Sequence, residues 1–182
     1  SVSRSRWTEP IRILKDAIKK ANEILVVEAK EDSEKYGMGT TVVAATIINQ
    51  KLYVANVGDS RLYVINEKIE QITKDHSYVA EMIRMGKFSP DDERIKAKKN
   101  VITRAVGATE RIVPDFFEVD LKEKDMVLMC TDGLSNMVTD EKIHQIVLSL
   151  HDTEEIARTL VNEANKNGGQ DNITVLVAKP YF

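Results

Sequence analysis

The sequence predicts an α+β fold built on antiparallel sheets. Segments rich in β-branched and apolar residues outnumber helical ones, and they follow one another directly instead of alternating with helices. Short turn signals join them, as in a meander, while helical periodicity is confined to a few stretches.

Residues 1–9 form a polar lead-in, and Pro10 opens a helix over about 10–30. Ile11, Leu14, Ile18, Ala21 and Leu25 recur every three or four residues and give one apolar face. Proline is tolerated there because a first-turn N–H has no helical partner. TTVVAATII (40–48) reads as a buried strand, and Asn49-Gln50 as a short turn. LYVANVG, RLYVIN and IEQIT follow as strands, with a hairpin connection at Asn66-Glu67-Lys68. A helix is predicted over 77–86, then a charge-dense surface segment containing Pro90. NVITRAV, IVPDFFEVDL and DMVLMC are the next predicted strands. Two helices follow, at about 139–149 and 153–166. Thr139 is the expected N-cap of the first, and Asp152 with Glu155 resembles a capping box for the second. Gly168-Gly169 breaks the chain before a last strand, ITVLVA.

A chain of 182 residues favours a single domain, 1–182, with a sizeable core. Its net charge of -3 gives no nucleic-acid or anionic-membrane surface. The one cysteine, Cys130, excludes an internal disulfide and sits in an apolar run, as a small core residue does. No apolar stretch spans a bilayer and no signal-peptide core is present, so a cytoplasmic location is expected, with no membrane partner. The first residue is not Met, which suggests a piece of something longer.

Two acidic motifs carry the chemistry. Asp132-Gly133 closes the apolar run MVLMCTDG, and Asp171-Asn172 follows a turn signal in GGQDNITVLVA. Each sets a carboxylate where a buried strand meets a loop. Hard divalent cations such as Mg2+ or Mn2+ take oxygen ligands of that kind. Asp-Gly alone is most often a turn. The histidines lack the spacing of a zinc site: His76 follows Asp75, His144 lies on a helix and His151 in a loop.

Gly58-Asp59-Ser60-Arg61, Asp75-His76-Ser77, Thr131-Asp132-Gly133 and Gly169-Gln170-Asp171-Asn172 occur in that order, with GMGTT at 37–41 and ITRAVG at 102–107. Together they resemble the protein phosphatase 2C family, the metal-dependent Ser/Thr phosphatases, in its bacterial form, over about Ala17 to Ala178. The resemblance implies an α/β/β/α sandwich of two antiparallel β-sheets flanked by helices. It also implies a binuclear Mg2+ or Mn2+ centre, with metals about 3.5–4 Å apart that activate a water for in-line attack on phosphorus. No side chain is then needed as nucleophile. Asp132 and Asp171 match the family's metal ligands, and Asp75 matches an Asp that helps hold a third, weaker metal; a turn or a helix N-cap before Ser77-Tyr78 is the alternative for Asp75. Asp59 and Arg61 correspond to an ion pair or supporting residues close to the site, and Asn172 to a turn residue supporting it. Residues 77–100 match a variable flap beside the metals. Phosphorylated proteins, substrates of a Ser/Thr kinase, are the implied partners.

The chain departs from the family pattern at its start. The family begins with two strands carrying a phosphate-gripping Arg, an Asn-x-Asp and an Asp-Gly-x-Gly-Gly whose Asp bridges the metals, whereas Ser1–Pro10 contains neither Asp nor Gly. The expectation is therefore an N-terminally truncated sandwich, weakly active or inactive as a phosphatase. The alternative is a non-catalytic phosphoprotein-binding or regulatory module on the same scaffold. Sheet edges left bare would favour a homodimer.

Overall fold

The computed structural model describes residues 8–89, 92, 95, 98 and 100–181. The chain divides into two compact units: Ser1–Gly58 with His76–Val119, and Asp59–Asp75 with Asp120–Phe182. Each unit carries one antiparallel sheet and its own helices.

In the first unit, helix α1 (Glu9–Glu31) begins with Pro10 in its first turn. Strands β1 (Val42–Ile48) and β2 (Lys51–Val57) form a hairpin through Asn49 and Gln50, both at positive φ (49° and 62°). Two consecutive left-handed residues match the right-handed twist of the flanking strands. The sheet order is β1-β2-β5, with β5 at Asp115–Asp120. Ile18 of α1 packs on Ala55, Val57 and Val106, with Leu14, Leu25, Val42, Ile112 and Phe116 around them. Asn22 is buried on the same helix. Its Nδ2 donates to the Thr109 carbonyl at 2.9 Å and its Oδ1 accepts from the Gly107 N–H at 2.8 Å, which ties the 107–109 loop to α1. Helix α2 (Tyr78–Arg84) is capped by Ser77, whose Oγ accepts from the Ala80 N–H.

In the second unit, β3 (Arg61–Ile65), β4 (Ile69–Gln71), β6 (Met126–Cys130) and β7 (Val175–Ala178) form a sheet of order β4-β3-β6-β7, antiparallel throughout. A one-turn helix α3 (Asp132–Ser135) leaves β6, followed by α4 (Asp140–Ser149) and α5 (Thr153–Lys166). Tyr63, Ile65, Leu128 and Cys130 share one sheet face and bury against Leu134, Ile143, Ile146, Val147, Ile156, Leu160 and Ala164 of these helices. Burial pushes the Cys130 thiol up to about 12, so it is an inert core group. Thr139 caps α4 by accepting from the Lys142 N–H, and Asp152 caps α5 by accepting from the Glu155 N–H at 2.8 Å.

Four sequence expectations need correction. TTVVAATII, read as a buried strand, has no buried residue in β1, which lies at the sheet edge with one strand neighbour among the described residues. NVITRAV is not a strand. Ile102 bridges Ser77 and, four residues on, Val106 bridges Thr40, so the segment changes partner before a ladder can build. The strand expected from Ile112 starts only at Asp115, after Pro114, which has no N–H to donate. Helix α3 lies where Asp132-Gly133 predicts only a turn. Of the predicted polar lead-in, 1–7 lie outside the described residues, as do 90, 91, 93, 94, 96, 97 and 99 of the predicted flap, Pro90 among them. Elsewhere in the flap, Tyr78 meets Phe88 edge to face at 6.2 Å, and the Lys98 ammonium lies 4.5 Å from the Tyr78 ring centre.

Candidate metal centre

The acidic residues of the second unit gather at one end of its sheet. Arg61, the first residue of β3, pairs with Cys130, the last of β6, and Cys130 in turn pairs with Val175, the first of β7. The chain leaves β6 directly into Thr131-Asp132-Gly133 and enters β7 from Asp171-Asn172, so adjacent strands bring the two Asp motifs side by side.

Thr131 locks that arrangement. Its hydroxyl donates to the Asn172 carbonyl at 3.2 Å and accepts the Thr174 N–H at 3.0 Å, while its own N–H donates to the Thr174 carbonyl at 3.1 Å. Gly133 explains why the approach is so close. A Cβ there would lie 2.2 Å from the Asn172 carbonyl oxygen, so only glycine lets α3 seat against this backbone. Asn136 donates to Asp132 Oδ2 at 3.3 Å, and Asp171 Oδ1 accepts the Asn172 N–H at 2.7 Å. Asn172 thus enters the site through its backbone.

Electrostatics show the same convergence. Burial, then repulsion from Asp171, raises the Asp132 pKa. Burial, then Asp132, raises Asp59 to about 6, with a smaller push from Asp75. A carboxylate crowded by a neighbouring carboxylate is relieved by a cation between them. Asp132 and Asp171 fit a hard divalent ion in donor chemistry, and Asp171 is exposed, so water can complete the shell. Among the described residues, no group of three or more His, Cys, Asp or Glu is placed to hold a metal. The described residues thus offer a pair of carboxylates that could hold a metal, with Asp59 coupled to Asp132.

Asp75 stands apart from this pair. Arg61 Nε lies 3.1 Å from both of its oxygens, Arg61 Nη2 donates to Oδ2 at 2.7 Å, and Gln71 Nε2 donates to Oδ1 at 2.8 Å. The ion pair of Arg61 is thus with Asp75. Burial opposes the guanidinium charge, but the bond to Asp75 overrides it and the Arg61 pKa is raised. Arg61 Nη1 also donates to Tyr63 Oη at 3.0 Å, which donates to Asp140 Oδ1 at 3.0 Å. Sequence reading missed Tyr63, Gln71, Asp140 and Thr131. No sequence signal places Asp140, in the first turn of α4, beside Arg61.

In the first unit, His76 is fully buried. Its Nδ1 accepts the Gly58 N–H at 3.1 Å, which leaves the proton on Nε2, 3.1 Å from Asp115 Oδ2. Arg104 donates to the other Asp115 oxygen at 3.0 Å. Burial lowers the His76 pKa, so the ring is neutral. His144 Nε2 lies 3.0 Å from the Asn66 carbonyl, remote from the carboxylates.

Residues 1–173 match the protein phosphatase 2C family, and the chain belongs to it. It is 38% identical over 167 residues to the serine/threonine phosphatase stp of Listeria monocytogenes, covering 91% of this chain and 66% of that protein's length. The crystal structure of serine/threonine phosphatase Stp1 from Staphylococcus aureus superposes with a TM-score of 0.91 at 34% identity, covering 99% of this chain and 72% of that one. The catalytic domain of the serine/threonine phosphatase PstP, solved with 2 manganese ions, matches at a TM-score of 0.83 and 29% identity, covering 96% and 73%.

Proposed function

We propose that this chain is a metal-dependent protein serine/threonine phosphatase domain, 1–182, in which Asp132 and Asp171 hold Mg2+ or Mn2+. The observation that carries this reading is the seating of Gly133 against Asn172, which brings the two Asp motifs together at one end of the sheet. The named relatives, and the manganese in one of them, support the reaction and the metal class. When bound, such a cation polarises a phosphoryl oxygen and lowers the pKa of a bound water. The chain's own part is to fix the ligands: Thr131 clamps the two loops, Asn136 holds Asp132, and Asp59 adds a nearby carboxylate. Asp75 is a conditional ligand, because Arg61 and Gln71 now hold its oxygens.

Phosphoserine and phosphothreonine proteins are the proposed substrates, and the cytoplasm the proposed location. No helix among the described residues is long and apolar enough to cross a membrane. Strand β1 is uncharged and lies at a sheet edge, with Ile47 and Ile48 exposed, which supports a homodimer through that edge. Because only a ligand pair is present among the described residues, turnover by this chain is expected to be weak. The same observation favours a second reading, a non-catalytic module that binds phosphoproteins.

Phosphate release from a phosphothreonine peptide tests both. Slow, Mn2+-dependent release that Asp132→Asn abolishes supports the phosphatase. Binding of the peptide without release supports the module. Release independent of metal overturns the assignment.

A further inference from the structure

We propose that Arg61 is a tethered cation that closes Asp75 to divalent metal, so that Asp75 takes an ion only once the Arg61–Asp75 pair opens. The inference deepens the proposed metal centre and rests on that reading. It stands on how Asp75 is held. Arg61 and Tyr63 project from the same face of β3, and Gln71 lies opposite Tyr63 on β4. From these two strands, Arg61 takes Asp75 Oδ2 at 2.7 Å and Gln71 takes Oδ1 at 2.8 Å. The pair is largely sheltered, with side-chain exposures of 23% and 15%.

The guanidinium is itself fixed from behind. Its Nη1 donates to Tyr63 Oη at 3.0 Å and lies 4.0 Å from Asp140 Oδ1, and Tyr63 donates to the same Asp140 oxygen. Arg61 thus bridges two carboxylates through a buried phenol, and it cannot lose its charge in a protein. A planar fork of this kind meets a carboxylate in two bonds at once. A divalent ion needs the same lone pairs and would arrive beside a fixed positive charge. It must therefore displace Arg61. Asp132 and Asp171 present the opposite situation, two like charges facing one another. The number of ions this end of the sheet holds then depends on Arg61, and Asp75 adds a ligand only when the arginine leaves. Arg61 acts here as a positioning residue.

Counting bound Mn2+ by electron paramagnetic resonance of the free ion, alongside calorimetry, tests this without any assay of activity. Wild type and Asp75→Asn should bind the same number of ions. Arg61→Ala should bind one more per chain, and Arg61→Ala with Asp75→Asn should lose that ion again. Fewer ions in Asp75→Asn than in wild type, or no extra ion in Arg61→Ala, overturns the proposal. If circular dichroism shows Arg61→Ala unfolded, Arg61→Gln decides, because a neutral amide of intermediate length removes the charge and keeps more of the packing. An extra ion in Arg61→Gln supports the gate, and its absence overturns it. If wild type binds no Mn2+ and Asp132→Asn changes nothing, the proposed centre fails. The gain in the Arg61 variants still reads the gate.

Discussion

Gly133→Ala is the sharpest small perturbation of this structure. The added Cβ would sit 2.2 Å from the Asn172 carbonyl oxygen and 2.9 Å from its carbonyl carbon. Non-bonded heavy atoms settle near about 3.5 Å, so the two loops must part by roughly 1 Å. Overpacking of this size costs about 1–3 kcal/mol. Alanine's better helix propensity returns at most about 1 kcal/mol, and less in a one-turn helix. The net expectation is a loss of about 1–2 kcal/mol. The metal effect should exceed the stability effect, because the parting separates Asp132 from Asp171. Changes to the groups that orient ligands typically cost about 10–100-fold in affinity. Gly86→Ala is the control. Gly86 has φ +68° with nothing within 4 Å of a built Cβ, so it meets backbone strain of about 1 kcal/mol and no clash. Mn2+ calorimetry and urea unfolding on both variants form the assay. Gly133→Ala binding Mn2+ as tightly as wild type would refute the claim that this contact sets the ligand pair.

Further outcomes follow from the same geometry. Asp59 has a folded pKa of about 6, above its unfolded value of 3.8. The folded state therefore holds the extra proton between those values, and metal-free stability should rise as pH falls from about 6 to 3.8. Asp59→Asn should add about 1 kcal/mol at neutral pH, after discounting for its partial exposure, and flatten that rise; an unchanged pH profile in urea melts would count against it. His76 runs the other way: its folded pKa lies below 6.5, so its contribution is present above 6.5 and is lost as pH falls from there through the folded pKa. His76→Ala should cost about 2–4 kcal/mol, because it strands the Gly58 N–H and leaves a cavity; a urea midpoint equal to wild type would contradict this. Sedimentation equilibrium should find a dimer that Ile47→Lys converts to monomer, Ile47 being 38% exposed on the edge strand; a wild-type monomer across a hundredfold concentration range would exclude that edge.

Much of this was legible because local rules decide it. The periodicity of Ile11, Leu14 and Ile18 fixes α1, and Thr139 and Asp152 mark helix starts by the bonds their side chains make. The two acidic motifs were visible as strand-end carboxylates, and their side-by-side placement follows from β6 pairing with β7. Other features depend on contacts between segments distant in sequence. The 100–106 segment has the composition of a strand, but its partners change from 76–78 to Thr40 within four residues. Arg61 could have faced Asp59, its near neighbour, or Asp75. The choice is made by Gln71 across the β3–β4 hairpin and by Asp140 at the start of α4.

The central claim is that Asp132 and Asp171 together hold one divalent ion. Calorimetric titration of Mn2+ into wild type, Asp132→Asn, Asp171→Asn and the distant cap variant Asp152→Asn tests it most directly. The account predicts at least about a tenfold loss of affinity in each of the first two variants, and wild-type binding in Asp152→Asn, which keeps a capping side chain on α5. Equal Mn2+ binding by wild type, Asp132→Asn and Asp171→Asn would contradict it.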